Sequence, residues 1–171
     1  MEQKIFGLAA LGLAAMGMAT DLRDHKIYNK LTLPSMAAGL LAGLVFSGPG
    51  GLMSGVLGIL MASLSLICWF LGVLKAGDVK LYMAVGAWTG WQFTGLVLIS
   101  SMLSGGAAAA CLMLFRKNGR RAFRRLWEYV KNLVMARSFY PYEPENSQGY
   151  LSFGACIFCG VLWTFWYLYM R

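Results

Sequence analysis

The sequence predicts an all-α, polytopic membrane helical bundle: about six transmembrane helices and one interfacial amphipathic helix, in a single integral membrane domain over residues 1–171. Three observations lead there. Hydrophobic residues make up 58% of the chain and charged residues 13%, against roughly 25% charged in soluble domains. Apolar runs long enough to cross a bilayer recur over nearly the whole length. The connectors between those runs alternate between basic and uncharged, the signature of a chain threaded through a membrane with its positive loops on one side.

The first span is expected at about 4–20, where "KIFGLAALGLAAMGMAT" is almost wholly apolar. Acid and base follow it in "TDLRDHK" rather than the small residues of a cleavage site, so it reads as a retained span. A second span at 31–47 and a third at 51–74 flank "SGPGG", a glycine–proline turn signal. The fourth, 79–93, and the fifth, 95–115, meet at "GWQFTG". The sixth is expected at 150–169. The GxxxG pairs Gly39/Gly43, Gly51/Gly55 and Gly86/Gly90 would let helices approach closely within the bundle.

Between the fifth and sixth spans, residues 118–136 set Phe123, Leu126, Trp127, Val130, Leu133 and Val134 at helical spacing among arginines. Such a basic amphipathic helix lies along the membrane interface with its apolar face in lipid. "YPYEPENSQG", 140–149, reads as a polar, proline-broken approach to the last span.

The net charge is +8, and eight of the fifteen Lys and Arg residues fall between Arg116 and Arg137. In a soluble chain that would suggest nucleic acid; beside membrane spans it reflects the positive-inside bias, with anionic lipid rather than nucleic acid as partner. Six spans put the basic connectors 21–30, 75–80 and 116–149 on one face and the uncharged 47–51 and 90–95 on the other. The expected protein is multi-pass in the cytoplasmic membrane, with the charged face inside and both termini outside.

Several chemistries are excluded. There is no HExxH, GxSxG or P-loop, and His25 is the only histidine. Cys68, Cys111, Cys156 and Cys159 all lie in apolar runs and read as small buried hydrophobes. No metal and no cofactor are expected.

Carboxylates remain. Asp21, Asp24 and Asp78 sit at the cytoplasmic ends of spans. Asp78, before the fourth span, also fits an ordinary N-cap. Asp21 follows the first span, where the helix dipole opposes negative charge. Two aspartates meeting half out of water share a proton, as an aspartic hydrolase requires: one activates water and the other donates. The dipoles suggest Asp78 as the base and Asp21 as the proton holder.

"TDLRDHKIYNKLT", 20–32, resembles the first motif of the type IV prepilin peptidases, and "KAGDVKL", 75–81, their GxGD segment. The resemblance implies a polytopic aspartic endopeptidase with catalytic Asp21 and Asp78, supported by Gly77 and Asn29. Lys75 stands in place of the first GxGD glycine, where it can act on Asp78 or touch lipid phosphate, and Tyr28 in place of a proline. Larger members add an amino-terminal cytoplasmic region with methyltransferase activity; this chain resembles the short, peptidase-only type. The implied substrate is a prepilin or pseudopilin of a type IV pilus or secretion system, with a short basic leader and an apolar helix. It would be cut at the cytoplasmic face, with Asp24 and Lys80 as substrate contacts. The alternative is a transporter or ion-conducting subunit whose acids bind a cation or relay protons.

Overall fold

The computed structural model describes residues 2–115 and 152–170, and every described element is helical or a turn. The amphipathic segment expected at 118–136 lies outside the described residues. Two compact units are present, Met1–Ser104 with Ser152–Arg171, and Gly105–Leu151; both motif aspartates belong to the first.

In chain order the helices are α1 (Glu2–Asp24), α2 (Asn29–Ser63), α3 (Ser65–Phe70), α4 (Ala76–Phe115) and α5 (Phe153–Tyr169). Among the described residues three helical stretches are long and apolar enough to cross a membrane: Gln3–Asp24, Asn29–Phe70 and Ala76–Cys111; Phe153–Tyr169 is apolar but shorter. Length and composition thus give three candidates where the sequence suggests six, because α2 and α4 each run through an expected turn.

Both long helices reverse inside. Gly48, at φ 65°, interrupts α2, and Gly90, at φ 78°, interrupts α4. Glycine enters this left-handed region without a Cβ clash. The contacts show how sharply the chain turns. Tyr82 Oη and Ser101 Oγ, both on α4, are 2.5 Å apart, whereas nineteen residues of straight helix would separate them by roughly 28 Å. A Cβ added to Gly43 would lie 3.0 Å from the carbonyl oxygen of Gly51, eight residues on and roughly 12 Å away along a straight helix. The expected turns are therefore present, but each is a single left-handed residue rather than a loop. The third apolar run also ends earlier than expected. Helix α2 stops at Ser63, α3 ends at Phe70, and Gly72 turns at φ 72°.

Small residues carry the packing. A Cβ on Gly58 would strike the carbonyl oxygen of Gly86, one on Gly55 would sit 2.8 Å from Ala87 O, and one on Gly17 2.7 Å from Leu81 Cδ2. Lipid offers no hydrophobic drive between helices, so close backbone approach and dispersion hold such a bundle. Ala10, Leu13, Ala14, Leu81, Val85, Val97, Ile157 and Val161 form the buried core. Leu41, Val45, Phe46, Ile99 and Leu103 are exposed, as suits side chains facing acyl chains. Cys156 is buried but Cys159 is exposed, so burial does not describe every cysteine.

Helices α1 and α5 pack antiparallel: Gly7 meets Phe165 and Tyr169 at one end, and Asp21 meets Gly154 at the other. The first arm of α2 runs parallel to the first arm of α4, with Asn29 on Lys80 and Ser35 on Trp88. These pairings bring the end of α1 and the starts of α2, α4 and α5 to one end of the bundle.

Candidate active site

Asp21 lies one turn inside the end of α1, not beyond it. The helix closes at His25, whose φ of 53° is left-handed, and the His25 N–H donates to the Asp21 carbonyl at 3.0 Å. Residues 25–28 then cross to α2, where the Tyr28 carbonyl receives the N–H groups of Leu31 and Thr32.

Asp78 is the third residue of α4. Its Oδ2 accepts the Lys75 N–H at 3.0 Å, while the Lys75 carbonyl accepts the Asp78 N–H, also at 3.0 Å. This is the back-reaching half of a capping box, which satisfies a donor that the helix start leaves open. The carboxylate thus serves the helix start from the third position rather than as the N-cap. Its other oxygen, Oδ1, is buried with no hydrogen-bond partner among the described residues.

Asp21 is held from a different helix. Its Oδ2 accepts the Ser152 hydroxyl at 2.6 Å and the Gly154 N–H at 2.9 Å. Both donors belong to the start of α5, so Asp21 also lies at the positive end of a helix. Each carboxylate thus faces a helix N-terminus, Asp78 its own and Asp21 that of α5, while Asp21 also sits in the last turn of α1, so two dipoles of opposite sense act on it.

Asp21 is 2% exposed and Asp78 1%. Both line one cavity of about 290 Å³, with His25, Lys26, Ile27, Tyr28, Asn29, Lys75 and Gly77 around it. Lys75 links the two acids. Its main chain binds Asp78, its ammonium lies 4.0 Å from Asp21 Oδ1, and that ammonium also donates to the His25 carbonyl at 3.1 Å. The sequence points this lysine toward Asp78 or lipid; its charge lies beside Asp21. Gly77 packs closely on the 25–28 connector: a Cβ there would sit 3.1 Å from Ile27 Cβ.

The remaining residues named from sequence fall at the edge. Lys80 Nζ donates to Asn29 Oδ1 at 2.9 Å. Asp24 is exposed and accepts the Tyr28 hydroxyl at 3.0 Å. Neither Asp24 nor Lys80 lines the cavity, whereas Asn29 does. The hydrogen bond to Asp24, with its charge second, raises the Tyr28 hydroxyl above its ordinary pKa. Among the described residues no three His, Cys, Asp or Glu side chains gather to hold a metal ion. A larger cavity of about 410 Å³, bordered by Gln3, Ser47, Ser54, Thr89, Gly90 and Tyr169, includes neither aspartate.

Ser152 and Gly154 escape a reading of the sequence. A serine before an apolar run marks a helix start, but nothing in "LSFG" says that its hydroxyl turns to a carboxylate on another helix.

Comparison with known proteins places the chain in a family. A family model, the type IV leader peptidase family, matches residues 8–110. A prepilin leader peptidase/N-methyltransferase of Burkholderia pseudomallei (strain 1026b) is 31% identical over 119 residues, covering 60% of this chain and 38% of that protein. One from Escherichia coli (strain K12) is 36% identical over 110 residues, covering 57% and 47%. One from Aeromonas hydrophila is 35% identical over 109 residues, covering 57% and 36%. The chain thus spans less than half the length of these curated relatives. No solved structure matches. The family match takes in both aspartates and extends over more than half of the sequence, and the chain belongs to the type IV leader peptidase family.

Proposed function

We propose that this protein is a membrane aspartic endopeptidase. It removes the short basic leader from prepilin or pseudopilin precursors at the cytoplasmic face of the inner membrane. The observation that carries the reading is the convergence of Asp21 and Asp78, both buried, on one cavity. The family and the names of the relatives support the substrate class.

The hydrolysis needs both acids. One carboxylate, ionised, takes a proton from water as the oxygen attacks the scissile carbonyl carbon. The other, protonated, donates to the carbonyl oxygen as the C=O π bond becomes a C–O single bond. Collapse of the tetrahedral intermediate breaks the C–N bond. The proton gained by the first carboxylate goes to the leaving amine, and the hydroxyl proton returns to the second. Asp78 Oδ1, which lacks a hydrogen-bond partner among the described residues, is suited to the substrate carbonyl or the attacking water.

The membrane arrangement belongs to the same reading. The arms on either side of Gly48 and Gly90 give four crossings, and α1 and α5 two more. That makes six, with the basic site end inside and both termini outside.

The test is co-expression with a tagged prepilin, read by gel mobility. Wild type shortens the precursor by its leader, and Asp21→Asn and Asp78→Asn each abolish the shift while remaining membrane-inserted. Processing retained in either variant removes the two-acid mechanism. An unprocessed cognate substrate with wild type turns the reading toward ion or proton transport.

A further inference from the structure

We propose that Ser152, together with the main-chain amide of Gly154, is the positioning element that fixes Asp21 for hydrolysis; this rests on the peptidase reading above. The two aspartates are secured in different ways. Asp78 is held by its own helix start, through the N–H of Lys75 three residues earlier. Asp21 is held across the bundle: its Oδ2 accepts from two donors of α5, at 2.6 Å and 2.9 Å.

The start of α5 is built around this contact. Serine at an N-cap ordinarily turns its oxygen onto the N–H of the second or third helical residue. Ser152 occupies the N-cap with extended backbone, φ −69° and ψ 97°, yet makes no side-chain cap bond. Its hydroxyl donates to Asp21 instead. Gly154, the second residue of α5, gives its N–H to the same carboxylate oxygen. The aspartate of α1 therefore does for α5 what the serine would have done, and the serine is released to orient the aspartate.

Residue 154 also has to be small. A Cβ there would lie 2.9 Å from Asp21 Cβ and 3.0 Å from Asp21 Oδ2. Contacts that short force the carboxylate to move. With Oδ2 fixed by both donors, the carboxyl plane is set and Oδ1 is the oxygen left beside Lys75. A hydrogen bond to a charged group is among the stronger ones, and a small error in placing a catalytic group costs rate.

The test uses the full-length protein in detergent micelles, assayed on a prepilin peptide. Ser152→Ala lowers kcat about tenfold with KM little changed. Ser152→Thr, which keeps the hydroxyl, restores most of it. Gly154→Ala lowers kcat at least as far. A second readout does not depend on turnover. The chain contains only three aspartates, Asp21, Asp24 and Asp78, so carboxyl-13C-labelled aspartate gives three signals, assigned by Asp→Asn variants. The Asp21 signal moves in Ser152→Ala and returns in Ser152→Thr, while that of Asp24 stays. An Asp21 signal unmoved by Ser152→Ala overturns the proposal, as does a threonine variant no better than alanine. Should wild type cleave no prepilin, the peptidase reading fails. The Asp21 signal then decides the positioning on its own, supporting it by moving and overturning it by staying.

Discussion

Lys80 Nζ donates to Asn29 Oδ1 at 2.9 Å and joins the first turns of α4 to the first residue of α2. The segment that bears Asp78 is thus tied, at the edge of the cavity, to the one that follows Asp21. The pair is an exposed hydrogen bond to a neutral amide, so its net contribution is small, about 0.5–1 kcal/mol. A double-mutant cycle of Asn29→Ala and Lys80→Met, read by thermal unfolding, should return a coupling in that range. A coupling of zero would mean that the tie does not form in solution.

Replacing Asp21 or Asp78 by asparagine should stop cleavage while leaving a folded helical protein. The two variants should differ in stability. Asp78→Asn retains an oxygen for the Lys75 N–H. Asp21→Asn weakens two bonds from α5, each of them charge-assisted when the carboxylate is ionised. The substitution at position 21 should therefore be the more damaging to stability, by about 1–2 kcal/mol, in circular-dichroism melts at neutral pH.

Lys75→Ala separates the residue's main-chain contact from those of its side chain. The main-chain bond to Asp78 survives, and the ammonium beside Asp21 is lost together with its bond to the His25 carbonyl. That ion pair is 4.0 Å long and its lysine side chain is 41% exposed, so the electrostatic loss is screened and falls within about 1 kcal/mol. Activity should drop by no more than about fivefold, and Lys75→Arg should recover part of it. A complete loss in Lys75→Ala would show that the ammonium takes part in the chemistry.

Glycine substitutions should sort by what a Cβ would meet. Gly12 lies in α1 with nothing within 4 Å, so Gly12→Ala should stabilise, by up to about 1 kcal/mol. At Gly58 a Cβ would strike the backbone of Gly86, and Gly58→Ala should push two helices apart and destabilise by about 1–3 kcal/mol. Gly90→Ala combines a left-handed φ with a clash against Ser54 Oγ and should be similarly damaging. Thermal melts in one detergent would give the ranking, and a stable Gly58→Ala would contradict the close packing.

The Tyr28 hydroxyl donates to Asp24, and that bond raises its pKa above the ordinary value. Neutral tyrosine is the form that donates, so the bond persists at neutral pH and is lost as pH rises through the raised pKa. Alkaline titration followed by tyrosinate absorbance, with Tyr28→Phe identifying the signal, should place this group lower in Asp24→Asn than in wild type. No difference between the two would remove the contact.

The apolar runs, the glycine turns and the two aspartates are legible in the sequence because each has a local signature. "SGPGG" and "GWQFTG" mark the reversals, and the chain does reverse at Gly48 and Gly90. Their form is not legible: one left-handed glycine turns the chain without a loop, so two expected spans merge into one long helix. The GxxxG glycines prove to be contact points, but their partners, such as Gly58 for Gly86, lie on other arms. The support of Asp21 stays hidden for a different reason. A serine that caps its own helix and one that reaches another helix have the same local pattern, and only tertiary packing separates them.

The distance in sequence between Asp21 and Gly154, 133 positions, has a temporal consequence. Translation delivers both acidic side chains long before it delivers the segment that steadies the first. A ribosome paused after α4 would carry a chain with both motif aspartates and without the α5 donors that hold Asp21. Completion of the aspartate site therefore waits on docking of α5 against α1, a late and long-range closure.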